Sequence, residues 1–197
     1  MEYYTAVGMK REQPDGAFCV EISGQPLLLS DTESFIWTAA VWSFTRKEEL
    51  QGRMEQLLKA VFGEEERKVT AEDFSSCFQR LCTRGLLAAG KGRCYEEAAW
   101  EILTRSQVSV MRLPVSNKLS AFWYNIEQGY GLKKAVKAFR SVQLDKEEKQ
   151  VLAEVGQDGD AAGLLRKTGE QESRRVLKTL LSLYEKQKII IRKIREV

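Results

Sequence analysis

The chain of 197 residues carries 31 Lys and Arg against 28 Asp and Glu, is 43% apolar and 30% charged, and contains not one histidine. That composition excludes a disordered chain, and apolar runs of only a few residues, such as Leu27-Leu28-Leu29 and Ile189-Ile190-Ile191, exclude a bilayer-spanning helix. The missing histidine removes the commonest general base, metal ligand and nucleophile activator. With no carboxylate pair in an apolar setting, the expectation is a non-enzymatic protein with no metal and no cofactor.

The start, Met-Glu-Tyr-Tyr-Thr, lacks the basic and apolar regions of a secretory signal, which predicts a cytoplasmic protein. Cys19, Cys77, Cys82 and Cys94 suit a reducing compartment. Cys77 and Cys82 are five apart, the wrong spacing for a zinc knuckle or a redox pair, so all four are expected to be small buried hydrophobes.

In chain order, residues 3–29 read as strands of one small sheet. Gly16 to Ile22 forms one strand, Ser23-Gly24-Gln25-Pro26 a turn into Leu27-Leu28-Leu29, and Tyr3 to Met9 a third strand. Ser30-Asp31-Thr32-Glu33 predicts a capping box for a helix carrying Phe35, Ile36, Ala39, Ala40 and Trp42. Thr45-Arg46-Lys47-Glu48 predicts a second box, opening a helix with Leu50, Met54, Leu57, Leu58 and Val61 on one stripe and ending near Gly63. Thr70 caps a third helix with Phe74, Phe78 and Leu81 inward. A hairpin follows, Leu86 to Ala89 and Arg93-Cys94-Tyr95 around Gly90-Lys91-Gly92, and then a helix from Glu96 to about Arg105.

A strand at Val108 to Leu113 stops at Pro114. Leu119, Phe122, Trp123 and Ile126, then Leu132, Ala135, Val136 and Phe139, repeat helical spacing on either side of Gly129-Tyr130-Gly131. Asp145 caps a helix over Lys149 to Val155, a short helix covers Ala161 to Lys167, and a long one runs from Glu170 to Gln187 into the strand Ile189–Ile194. That last strand has no room for a hairpin of its own, so its expected partner is the N-terminal sheet or a second copy of the chain.

A polar-capped helix, an amphipathic helix and an apolar strand thus recur at each end of the chain, the signature of a winged helix. The expected fold is α+β: mainly α with small β-hairpins, arranged as tandem winged-helix-like modules over residues 1–105 and 106–197. Phe74, Phe78 and Leu81 should lie in one core and Leu177, Leu180 and Tyr184 in another.

Charge divides between the halves. Residues 1–112 hold 14 basic and 17 acidic side chains, residues 113–197 hold 17 and 11. The basic half, with Arg174, Arg175, Lys178 and Lys186 on the polar side of the 170–187 helix and Lys133, Lys134, Lys137 and Arg140 within a narrow arc of another, predicts DNA binding in transcriptional control. On the same wheel Thr179 and Ser182 fall on the outer face. The third helix of the first half opens with Glu72 and Asp73, which repel phosphate, so that half predicts a peptide or protein partner. No membrane partner is expected, and a homodimer is a candidate assembly.

Residues 16–90 carry a β-hairpin, the helix Thr32-Glu33-Ser34-Phe35-Ile36-Trp37 and the closing Leu81-Cys82-Thr83-Arg84-Gly85-Leu86-Leu87. In these they resemble the small winged-helix peptide chaperones of pyrroloquinoline-quinone biosynthesis and the related recognition elements of other peptide-modifying systems. What that resemblance implies is a leader peptide bound as an added strand beside the third helix.

Overall fold

A computed structural model describes residues 1–13, 17–63, 69–111, 144–166 and 170–195. The two helical stretches expected between 119 and 140 lie outside them. The fold is α+β. Four strands open the chain, β1 (Glu2–Ala6), β2 (Met9–Glu12), β3 (Phe18–Ile22) and β4 (Gln25–Leu28). Helices α1 (Asp31–Ala40), α2 (Lys47–Phe62) and α3 (Ala71–Thr83) follow, then β5 (Leu87–Lys91), α4 (Tyr95–Leu103) and β6 (Ser106–Val110). The described remainder is α5 (Lys146–Asp158), α6 (Ala161–Arg166), α7 (Glu170–Glu185) and β7 (Ile189–Ile194).

Local chemistry explains several helix ends. Ser30 and Glu33 form a reciprocal capping box on α1, Asp145 and Glu148 form another on α5, and the Thr70 side chain accepts from Asp73 N–H at the start of α3. Gly63 closes α2 with φ +79. The box expected at Thr45 does not form. Arg46 is the N-cap of α2 with no side-chain bond, because Thr45 is drawn into the sheet.

Sheet pairing departs furthest from expectation, because it joins residues far apart in the chain. β2, β3 and β4 form an antiparallel meander, and Gln25 and Pro26 belong to β4, the turn being Ser23-Gly24 alone. Both turn residues have positive φ, 53 and 82, as a two-residue hairpin turn requires. β1 leaves that sheet and pairs antiparallel with β5. On its other side Tyr4 and Thr45 exchange backbone hydrogen bonds of 2.8 and 3.0 Å. β5 therefore makes no hairpin with residues 93–95, and the chain turns at Gly92 into α4.

The second half repeats this wiring. β6 pairs antiparallel with β7, and its other side bridges at Gln107 to Asp160, which lies between α5 and α6 as Thr45 lies between α1 and α2. Among the described residues, and setting aside the β2–β4 meander of the first half, each half runs strand, helix, bridging residue, two helices and a closing strand that pairs with the first. β7 thus finds its ladder partner in β6 instead of the N-terminal sheet or a second copy.

Two clusters of buried side chains result. Ile36, Trp37, Leu50, Met54, Phe74, Phe78 and Leu81 belong to one; Leu165, Leu177, Leu180, Leu183, Tyr184, Ile189 and Ile191 belong to the other, together with Ala99, Ile102 and Leu103 of α4. Cys19 and Cys77 are buried, and Cys82 and Cys94 half-buried. Along α2, Leu50, Met54 and Leu58 are buried, whereas Val61 stands exposed.

α4 sits tightly over β5. A Cβ on Gly90 would collide with the Ala98 carbonyl and approach Ile102 Cγ1 to 2.8 Å. Gly90→Ala is therefore expected to cost roughly 1–3 kcal/mol through overpacking, whereas Gly52→Ala, where the added methyl meets nothing, should be neutral or stabilising. Denaturant melts of both variants check this.

Candidate functional site

Two surfaces hold the side chains that composition and spacing singled out. The first is the polar side of α7. Its inner face buries Leu177, Leu180, Leu181, Leu183 and Tyr184, which turns Arg174, Arg175 and Lys178 outward. α5 lies along one flank and brings acids with it. Glu147 Oε2 receives Arg175 at 2.7–2.8 Å, and Glu147 Oε1 receives the Thr179 hydroxyl at 3.1 Å. Thr179 is buried by this contact, although the helical wheel puts it on the outer face.

Glu148, also buried, accepts from Asp145 N–H, Ser182 Oγ and Lys186 Nζ. On the other flank Arg174 and Lys178 border a shallow groove whose far wall carries Glu96 and Glu97 of α4. Of the eight basic residues expected to hold nucleic acid, Arg175 and Lys186 are thus each ion-paired to α5. Lys178 has no ion-pair partner among the described residues. Lys133, Lys134, Lys137 and Arg140 lie outside the described residues.

The second surface is the outer edge of β4. Gln25, Pro26 and Leu28 are exposed, and Leu28 is 62% exposed although it is a large apolar side chain in a strand. Register decides which backbone groups face outward. Leu29 N–H donates to Phe18 O, and Leu27 pairs with Val20, so the groups of Leu27 and Leu29 point into the ladder. Those of Pro26 and Leu28 point away from it. Because proline has no N–H, the open edge offers one donor, Leu28 N–H, and two acceptors, the carbonyls of Pro26 and Leu28.

α3 and its exit stand beside this edge. Glu33, buried at the start of α1, accepts Arg80 Nε at 3.0 Å, and Arg84 Nη1 lies 3.4 Å from its second oxygen. Arg84 Nη2 reaches over to donate to Leu28 O at 2.7 Å. Burial pushes the Glu33 carboxyl upward, but hydrogen bonds from Ser30 and the two arginines outweigh it and hold the group below the usual carboxylate range. Two guanidiniums thus share one carboxylate at the rim of an exposed strand.

Sequence reasoning placed Arg84 and Leu28 in their elements but assigned neither a role. The available signal was two arginines four apart, on the last turn of a helix and just beyond it, with one unpaired-looking acid in a capping box.

Among the described residues no cluster of three or more potential metal ligands occurs, and no helix is long and apolar enough to cross a membrane. The outer edge of β5 is already covered. Lys91 N–H donates to Glu101 at 2.6 Å, and Arg105 donates to Ala89 O at 3.1 Å. The β4 edge combines an exposed apolar side chain, outward backbone groups and a neighbouring arginine pair.

The α5–α7 contact has a pH consequence. Lys186, with Ser182 and Asp145 N–H, holds the Glu148 carboxyl below its ordinary range. A lowered carboxylate contributes stability that is complete above the ordinary carboxylate range and is lost as pH falls through the lowered native value. Acid unfolding of Glu148→Gln should therefore show a shallower acid limb than wild type, with the two curves differing most at neutral pH. Thermal melts from pH 7 down to pH 3 measure it.

No family model, no curated protein and no solved structure matches this chain.

Proposed function

We propose that the chain is a non-enzymatic adaptor that binds an extended peptide segment of a partner along the outer edge of β4. In this reading each half is a winged-helix-like module whose entering strand, β1 or β6, takes the place of the returning strand of the wing. The resemblance of residues 16–90 to winged-helix peptide chaperones points the same way, since it implies an added strand beside the third helix. The observation that carries the reading is the state of β4, an exposed edge with Leu28 N–H and the Pro26 carbonyl turned outward next to an arginine pair. Backbone hydrogen bonds along such an edge supply affinity, and the flanking side chains supply selectivity.

Proline limits the pairing to a short stretch, which guards the edge against pairing with other copies of itself. DNA binding through α7 is the second reading, favoured by Lys178, which stands exposed and without an ion-pair partner among the described residues. The contacts of Arg175 and Lys186 with α5 weigh against it, because a cation already paired has less to gain from phosphate.

One substitution separates the two. Leu28→Pro removes an outward N–H and no ladder bond, whereas Leu28→Val keeps both. In fluorescence anisotropy against an array of short extended peptides, Leu28→Pro is expected to weaken binding about tenfold or more with little change in melting temperature, and Leu28→Val to behave as wild type. Duplex DNA bound in a steeply salt-dependent manner, with no peptide bound, would instead favour α7.

A further inference from the structure

We propose that Arg84 is a removable cap on the β4 edge, and that this cap makes the edge selective for extended peptides bearing a carboxylate. The inference rests on the peptide reading above and adds the chemistry of the partner.

The Leu28 carbonyl is the outward acceptor that a second strand would need for a full rung with Leu28, and Arg84 Nη2 already occupies it at 2.7 Å. A guanidinium bond to a carbonyl is charge-assisted and stronger than the amide bond that would replace it. A neutral peptide must therefore give up more than it gains at that rung, or leave the rung unmade. An acidic side chain changes the exchange. Its carboxylate offers Arg84 a better partner than a carbonyl, and the guanidinium can leave Leu28 without losing an anion.

Arg84 is suited to move and Arg80 is not. Arg80 holds Glu33 at 3.0 Å and also donates to Ser76 Oγ and Cys77 Sγ, each at 3.0 Å. Arg84 lies farther from Glu33, at 3.4 Å. Glu33 cannot follow a departing arginine, because one of its oxygens caps α1 by accepting Ser30 N–H at 2.9 Å. Arg80 and Arg84 share the one fixed carboxylate of Glu33, so Arg84 is only loosely matched by it and is suited to an acidic segment over a basic one. With the Leu28 carbonyl so occupied, Leu28 N–H and the Pro26 carbonyl are the outward groups of β4 left without a partner among the described residues, so the cap also shields the edge from indiscriminate strand pairing.

The test uses the full chain and matched extended peptides that differ only in one Glu or Gln, read by fluorescence anisotropy at several salt concentrations. Wild type is expected to bind the Glu peptide about tenfold more tightly, with the gap narrowing as salt rises. Arg84→Gln should abolish the preference and bind the Gln peptide at least as well as wild type does, because the carbonyl is then uncapped. Arg80→Gln should keep most of the preference.

Equal affinity of wild type for both peptides, with Leu28→Pro weakening both, overturns the cap while leaving the peptide site in place. Failure of both peptides to bind overturns the peptide reading, and the cap with it. The wild-type ratio needs no variant, so it decides the matter even if Arg84→Gln does not fold.

Discussion

One buried hydroxyl ties the two halves of this protein together. Tyr184, on α7, is fully buried, and its oxygen meets Thr5 Oγ1 at 2.8 Å and accepts Trp42 N–H at 3.1 Å. Those partners come from the first strand and from the link between α1 and α2, so a residue near the end of the chain fixes two elements near its start. Burial pushes the phenol up to about 12, which keeps it neutral and able to serve both contacts.

The junction has a cost. Trp42 adopts φ +56, a conformation that costs about 1–3 kcal/mol for a side chain of this kind, and its indole Nε1 is buried with no partner among the described residues. Phe44 packs its ring 5.4 Å from that of Tyr184, and Gly8 N–H donates to Ile191 O at 2.9 Å. These contacts carry the junction despite the strain.

The position of β1 follows from this junction, and the open edge follows from β1. Pinned through Thr5, β1 lies between Thr45 and β5 and closes the small sheet there. The meander that follows is left with β4 on its outside. α4 then seals β5 through Glu101 and Arg105, and β7 is met by Gly8. Charged side chains cover strand edges at two places in this half, and at β4 the cover is one guanidinium with an anion behind it. A single guanidinium is a weaker seal than a packed helix, and the proposed peptide site is placed there for that reason.

Helix positions were legible in the sequence because their causes are local. Ser30 with Glu33, Thr70 with Asp73, and Asp145 with Glu148 are caps written within four residues, and the stripes Phe74-Phe78-Leu81 and Leu177-Leu180-Tyr184 sort themselves by helical period. Strand partners were not legible, because β1 meets a strand more than eighty residues away and nothing in Glu2–Ala6 names it. The Thr45 box failed for the same reason, since a distant strand claimed that residue. Counting charges along the chain suggested a free basic face on α7. It could not reveal that α5 lays Glu147 and Glu148 against Arg175 and Lys186, nor that Thr179 turns inward to Glu147. The arrangement at β4 depends on register, and a one-residue shift would exchange the outward and inward groups.

The most direct measurement is amide hydrogen exchange of the full chain across residues 25–29, read residue by residue by NMR. If the Leu28 N–H faces the open edge, it exchanges far faster than those of Leu27 and Leu29, which lie in the ladder, and an acidic extended peptide slows Leu28 alone among the three. Strong protection of Leu28 in the free protein, or slowing that spares Leu28 when such a peptide binds, would contradict the edge as the binding site.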